Sequence, residues 1–257
     1  MTLGAVRDNS LIEEFGERLG EQCKRLGIHI NFAPVVDINI NPNNPIIGNR
    51  SFGENKNNVT DKAIAFTRGM QKMGVMANAK HFPGHGDTAA DSHHTLPVIN
   101  FDATRLDTLE LYPYYKLFKE NLGSVMTAHL SIPKLEPNKK LPSSLSKRIT
   151  TGLLKEKMGF KGLIITDGLN MKGAADFATS KEINLEAILA GNDLLLIPHK
   201  VPATMEFFKK AIQDKKLSIE RLDESVRKIL KAKYWSGLQN NKPIDLNNLH
   251  EDLNTKE

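Results

Sequence analysis

The sequence predicts an α/β fold with a parallel sheet, nearer to the TIM (β/α)8 barrel than to a doubly wound sheet, and three observations carry that reading. Short apolar runs alternate with amphipathic segments along the 257 residues, at separations that require right-handed parallel crossovers. About five such runs occur, each followed by a helix, and they are continuously apolar, as strands covered by helices are. Four of them run into ionisable residues, Asp37, Lys80/His81, His129 and Asp167, and polar groups at successive strand ends belong to the mouth of a barrel. A Rossmann sheet would show a Gly-x-Gly-x-x-Gly turn, and neither that turn nor a P-loop is present. About five strands do not close an eight-stranded barrel, so part of the fold lies outside this chain or the sheet is open.

The elements follow in order from local signals. Ser10 and Glu13 have capping-box spacing, Leu11, Phe15, Leu19, Cys23 and Leu26 recur near the helical period, and Gly27 stops the helix. Residues 28–37 read as a strand whose hydrogen bonding breaks at Pro34. An Asn/Pro-rich loop, residues 39–58, leads to a helix with Val59, Ala63, Phe66, Met70 and Met73 on one face, closed by Gly74. Residues 75–79 form the next strand and feed a loop that gathers His81, His85, Asp87, Asp91, His93 and His94. Pro83, Gly84 and Gly86 exclude a regular element there and read as a hinge. A helical region, residues 103–122, is divided by Pro113. Then come a strand at residues 124–130, a Pro-rich loop, a helix at 146–158, and a strand ending in Asp167. A helix at 180–190 capped by Ser180, a strand at 193–198, and helices at 202–214 and 218–235 complete the pattern. Residues 1–238 are read as one partial barrel domain, and the polar, Asn-rich residues 239–257 as a linker or tail.

Composition narrows the function. The net charge is +5, but the basic residues are spread over helical stretches among acids, and aromatic residues are only 6%. That describes solvated helix faces and gives no nucleic-acid footprint. The single cysteine, Cys23, excludes a disulfide framework and a cysteine-based zinc site. No apolar run is long enough to span a bilayer as a helix. Residues 1–8 do not resemble a targeting segment, and the compartment stays open because a truncated start would also lack one.

The candidate chemistry lies at the strand ends. A carboxylate at Asp167 is fixed by the sheet and aimed into the mouth, which suits a nucleophile; a helix cap or structural Asp is the plainer alternative. Asp91 and His93 are two apart, so in an extended loop they point the same way. Asp91 would then fix one tautomer of His93, a general acid and base near neutral pH. His94 points elsewhere on this argument. Lys80, His81 and Arg50 are fixed donors suited to hydroxyl-rich or anionic ligands, with a loop-stabilising ion pair as the alternative for Arg50. His81, His85, Asp87, Asp91, His93 and His129 could also ligate zinc or iron, which keeps a metal-dependent hydrolase as an alternative.

The run Lys80-His81-Phe82-Pro83-Gly84-His85-Gly86-Asp87-Thr88, followed by Asp91-Ser92-His93 and Leu96-Pro97, resembles the signature of the β-N-acetylglucosaminidases among the family 3 glycoside hydrolases. Residues 31–37, 49–53 and 125–129, and the run Ile165-Thr166-Asp167-Gly168-Leu169-Asn170-Met171-Lys172-Gly173, fall in that family's order. The resemblance implies a (β/α)8 barrel and a retaining double displacement without a cofactor. By that likeness Asp167 is the nucleophile and His93, paired with Asp91, the acid/base. Arg50, Lys80 and His81 match sugar-binding positions, and Asp37 matches a strand-end Asp near the site. The family barrel has further strands before the segment matching Met1, one with an Asp-Glu-Gly-Gly motif, so the chain looks like roughly the last five of eight barrel units. Gly168 stands where the family often has an acidic residue or Ala. The implied partner is a small carbohydrate, with further domains upstream and downstream. Phosphate as acceptor and an inactive sugar-binding fragment are the variants of this reading.

Overall fold

The computed structural model describes residues 1–89, 95–240 and 242–254. Four strands, β1 (Ile30–Asn31), β2 (Met76–Phe82), β3 (Ser124–Thr127) and β4 (Leu163–Thr166), lie side by side in sequence order. All three pairings are parallel. Sequential parallel strands joined through helices are the progression of a (β/α)8 barrel, and the fold is of TIM-barrel type. A further pairing is a single bridge between Ile165 and Leu194, which makes about five βα units in all. The strand expected at residues 193–198 is reduced to this one bridge, with Leu196 still bonded to the Thr166 hydroxyl and the Leu169 N–H at 3.0 Å each, before Ile197 takes a left-handed conformation with φ of 48°.

β1 is short for the reason Pro34 supplies. Proline has no N–H to give to the ladder and the Ala33 N–H folds back onto the Asn31 carbonyl at 2.8 Å, so Ala33 and Pro34 serve β2 only as acceptors, from Asn78 N–H at 2.8 Å and Lys80 N–H at 3.2 Å, before Val35 bridges Lys80. The peptide bonds before Pro34, His81 and Pro83 are cis.

The helices cover the sheet. α1 (Asn9–Arg25) is capped by Asp8, whose carboxylate accepts the Ser10 N–H at 2.9 Å, so the expected cap at Ser10 moves two residues upstream. Its buried side is Ile12, Gly16, Gly20 and Cys23, whereas Leu11 and Phe15 are 54% and 43% exposed. The apolar face read from the sequence is thus displaced by a residue. The cause is a glycine seam against α2 (Lys56–Lys72): a Cβ at Gly16 would fall 2.6 Å from the Phe66 carbonyl oxygen, and one at Gly69 2.0 Å from that of Glu13. Backbone meets backbone where a face of large side chains was expected. On α2 the buried residues Val59, Ala63, Phe66 and Met70 are those the pattern selects.

The region 103–122 is two helices, α3 (Ala103–Thr108) and α4 (Tyr112–Lys119), with Pro113 in the first turn of α4, where its missing N–H is no loss. A π-helix spans Arg148–Lys157. α5 (Lys172–Ala175) follows β4, and α6 (Ser180–Ala190) is capped by Thr179 in a reciprocal box with Glu182 rather than by Ser180. α7 (Val201–Gln213) and α8 (Ile219–Trp235, capped by Ser218) follow. α9 (Leu249–Leu253) lies against α1, where Arg25 holds the Asp252 carboxylate at 2.8 Å. The main core joins Ala77, Ala79, Phe82, Val125 and Ile164 of the sheet to the inner faces of α1, α2 and α4. Among the described residues no helix is long and apolar enough to cross a membrane.

Candidate active site

Asp167 is the first residue past β4. Its N–H continues the ladder by donating to the Thr127 carbonyl at 2.9 Å, and its carboxylate accepts the Gly168 N–H at 2.8 Å. His129, two residues past β3, is buried beneath it. One ring nitrogen lies 3.0 Å from the Gly168 carbonyl oxygen and the other 2.7 Å from the Ser144 hydroxyl. Burial alone would raise the Asp167 carboxyl, but His81, His129, the Gly168 N–H and Lys80 outweigh it and hold the group below the usual carboxylate range.

β2 carries Lys80 and His81 to the same end of the sheet. Burial pulls the Lys80 ammonium below its ordinary range, the Arg50 charge adds to this, and Asp167 and Asp37 oppose it. Arg50 ends a short 3-10 turn, Gly48–Arg50. Its guanidinium donates to the Ile46 carbonyl at 3.2 Å and approaches His81 Nε2 at 3.4 Å. Four of the expected site residues, Arg50, Lys80, His81 and Asp167, therefore gather where each acts electrostatically on a neighbour.

Asp37 is placed differently from a residue open to a ligand. It is 1% exposed. Its oxygens accept the His81 N–H at 3.2 Å and the His85 N–H at 2.7 Å, and one lies 2.7 Å from His81 Nδ1. Burial would raise this carboxyl, and the His81 and His85 contacts bring it below the ordinary range instead.

Pro83, Gly84 and Gly86, expected as a hinge, lie in a buried and hydrogen-bonded segment. His85 between the glycines is held at its N–H by Asp37, at its carbonyl by Asn44 (2.8 Å) and at Nδ1 by the Thr88 hydroxyl (2.7 Å). The glycines allow close approach: a Cβ on Gly86 would fall 1.9 Å from the Ile38 carbonyl oxygen. Asp91, His93 and His94 lie outside the described residues. Among the described residues no three His, Cys, Asp or Glu side chains are grouped to hold a metal ion.

Reading the sequence missed the part played by His129 and the polar anchors Ser51, Asn44, Thr88 and Ser144. A histidine ending an apolar strand was the visible signal for His129. The serines, Asn44 and Thr88 give none, because their partners are distant in sequence.

The parallel barrel-type sheet gathers Asp167, Lys80, Arg50 and His81 at its carboxyl end, the end at which barrel enzymes place their chemistry. The profile of the glycosyl hydrolase family 3 N-terminal domain matches residues 1–232, and the chain belongs to glycoside hydrolase family 3. It is 36% identical over 234 residues to β-hexosaminidase A of Pseudoalteromonas piscicida, covering 84% of this chain and 39% of that protein. Among solved structures it resembles a family 3 β-N-acetylglucosaminidase from Paenibacillus sp. str. FPU-7, with a TM-score of 0.91 and 37% identity over 98% of this chain and 50% of that one. A β-glucoside phosphorylase superposes with a TM-score of 0.92 at 29% identity, over 99% of this chain and 47% of that one. The chain thus spans half or less of the length of these three relatives.

Proposed function

We propose that this chain carries most of the catalytic barrel of a retaining exo-β-N-acetylhexosaminidase that removes terminal β-linked N-acetylglucosamine from peptidoglycan-derived or chitin-type sugars. The observation that carries the reading is the placement of Asp167, one residue past β4, where its carboxylate accepts the Gly168 N–H at 2.8 Å and its own N–H is tied to the Thr127 carbonyl at 2.9 Å. In the first step an Asp167 oxygen attacks the anomeric carbon while the glycosidic C–O bond breaks and His93 gives its proton to the departing oxygen. The product is a glycosyl ester on Asp167. In the second step His93 takes a proton from water as it attacks the same carbon, and the ester C–O bond breaks to release the sugar. Two inversions give net retention. Arg50, Lys80 and His81 hold the sugar hydroxyls, and Asp91 orients His93.

The test is hydrolysis of a chromogenic β-N-acetylglucosaminide by the protein and its variants. Asp167→Asn is expected to lose on the order of 10³-fold or more in kcat. His93→Ala should lose about 10²-fold or more on poor leaving groups, and less on an activated phenol that departs without a proton. Unchanged rates in both variants would overturn the assignment.

The likeness to a β-glucoside phosphorylase favours a second reading, in which phosphate rather than water opens the glycosyl ester. A histidine acid/base carries no negative charge to repel an incoming phosphate. Appearance of sugar 1-phosphate when turnover is run in phosphate buffer separates the two acceptors.

A further inference from the structure

We propose that Asp37 is a positioning residue that fixes the tautomer of His81 and, through it, the aim of the Arg50 guanidinium. The carboxylate cannot itself meet a ligand, since it is 1% exposed and its oxygens are turned inward to the His81 N–H, the His85 N–H and the His81 ring. An ionised carboxylate only accepts hydrogen bonds. His81 Nδ1, 2.7 Å from it, must therefore carry the hydrogen. Arginine only donates, so Nε2, 3.4 Å from Arg50 Nη2, is the lone-pair nitrogen. With the hydrogen on the other nitrogen, lone pair would face carboxylate and N–H would face guanidinium, and both contacts would be repulsive. The structure admits one tautomer, and Asp37 selects it.

Asp37 also reaches Arg50 from the other side. Its backbone carbonyl accepts the Ser51 hydroxyl at 2.6 Å, next to Arg50 in the chain, and the neighbouring Val36 N–H donates to the Lys80 carbonyl at 2.8 Å. One buried residue thus sets the loop that carries Arg50, the ring on which the guanidinium rests, and the start of the His85 segment. The sugar-facing group is assembled before a sugar arrives, which reduces the ordering left to binding.

The proposal rests on the reading of Arg50 and His81 as sugar contacts, and the experiment separates the two. Long-range ¹⁵N–¹H correlation spectra of the sugar-free protein, with His81 identified by the loss of its signals in His81→Gln, should show the tautomer with the hydrogen on Nδ1 and the lone pair on Nε2. Asp37→Ala should mix the tautomers and lower kcat/KM on the chromogenic glycoside by about 10–100-fold, mainly through KM. Asp37→Asn, whose amide oxygen still accepts from Nδ1, should keep the tautomer and lose less. A wild-type ring protonated at Nε2 overturns the proposal without any variant. So does Asp37→Ala with both tautomer and kcat/KM unchanged. If Asp37→Ala does not fold, the wild-type spectrum and Asp37→Asn decide it. An Nδ1-protonated His81 combined with an unaltered KM in His81→Gln would instead sink the sugar-contact reading and leave the role of Asp37 standing.

Discussion

His129 Nε2 donates to the Gly168 carbonyl oxygen at 3.0 Å, while the same glycine gives its N–H to Asp167 at 2.8 Å. Because the carbonyl only accepts, the hydrogen is on Nε2, and Nδ1 accepts from the Ser144 hydroxyl at 2.7 Å. The imidazole is a strut between the loop after β3 and the turn after β4, and it keeps the residue beside Asp167 from rotating.

Removing that strut should affect the chemical step more than binding. His129→Ala leaves the Gly168 carbonyl and the Ser144 hydroxyl without their partner and frees the turn that aims Asp167. We expect kcat on the chromogenic β-N-acetylglucosaminide to fall about 10–100-fold, since sub-ångström misplacement of a reacting group has effects of that order, with KM changed little. A KM rise at constant kcat would show instead that His129 serves the binding side.

Acid stability should report the buried imidazoles. Burial holds His129 and His85 below the ordinary histidine value of 6.5. Below that value the unfolded chain binds protons that the folded chain refuses, so folding stability must drop as the pH falls through about 6.5. Asp37 and Asp167 have the usual carboxylate sign: their folded values lie below 3.8, so their contribution is full above 3.8 and is lost as the pH falls further. Urea midpoints should be flat above pH 7 and decline in two stages below it. His129→Gln should make the first stage shallower, with His85 remaining, and should shrink the Asp167 share of the second, because His129 helps lower that carboxyl. A midpoint independent of pH between 7 and 5 would contradict the buried neutral imidazoles.

Arg25 should govern the polar C-terminal stretch. Its guanidinium donates to the Asp245 carbonyl at 2.5 Å, the Asn247 carbonyl at 2.8 Å and the Asp252 carboxylate at 2.8 Å, while Lys24 donates to the Ser236 carbonyl at 2.9 Å. Arg25→Ala removes three of these contacts at once. Limited proteolysis followed by mass spectrometry should find faster cleavage between residues 238 and 248, with the fold of the sheet retained and unfolding stability lowered by about 0.5–1.5 kcal/mol. Equal cleavage rates would show that the stretch is held by other means.

Much of this was legible in the sequence where the signal is local. Strand ends at Lys80/His81 and Asp167, the interruption at Pro34, the α2 face and the caps within a residue or two all follow from periodicity and from proline and glycine chemistry. The failures were relational. Leu11 and Phe15 looked like a buried face because large apolar residues dominate a periodic pattern, yet Gly16 and Gly69 set the actual seam. Asp37 matched a strand-end Asp near the site only through the family resemblance, and its burial against His81 and His85 is not written in one strand. Pro83, Gly84 and Gly86 looked mobile because glycine permits mobility, and nothing local says that Ile38 and Glu110 close on them.

The segment around His85 is gripped from two sides. Beneath it a Cβ on Gly86 would collide with the Ile38 carbonyl oxygen at 1.9 Å; above it one on Gly84, whose φ is 142°, would meet the Glu110 Cβ at 2.8 Å. Glu110 is buried and shares Arg105 with Asp87, at 3.4 and 3.0 Å, while the guanidinium lies 3.8 Å over the Phe101 ring. Gly86→Ala should therefore cost about 3 kcal/mol or more of stability, because a backbone oxygen cannot step aside. Gly84→Ala should cost about 1–3 kcal/mol, from its left-handed conformation and a side chain able to shift. Glu110→Gln should cost about 1 kcal/mol or less, since its amide oxygen can still accept from Arg105, now at 3.4 Å. Arg105→Ala should cost about 1–2 kcal/mol by leaving Asp87 and the buried Glu110 without their shared cation. Urea unfolding of the four variants gives the ranking. A Gly86→Ala protein as stable as the wild type would show that the segment around His85 is not anchored by this close approach.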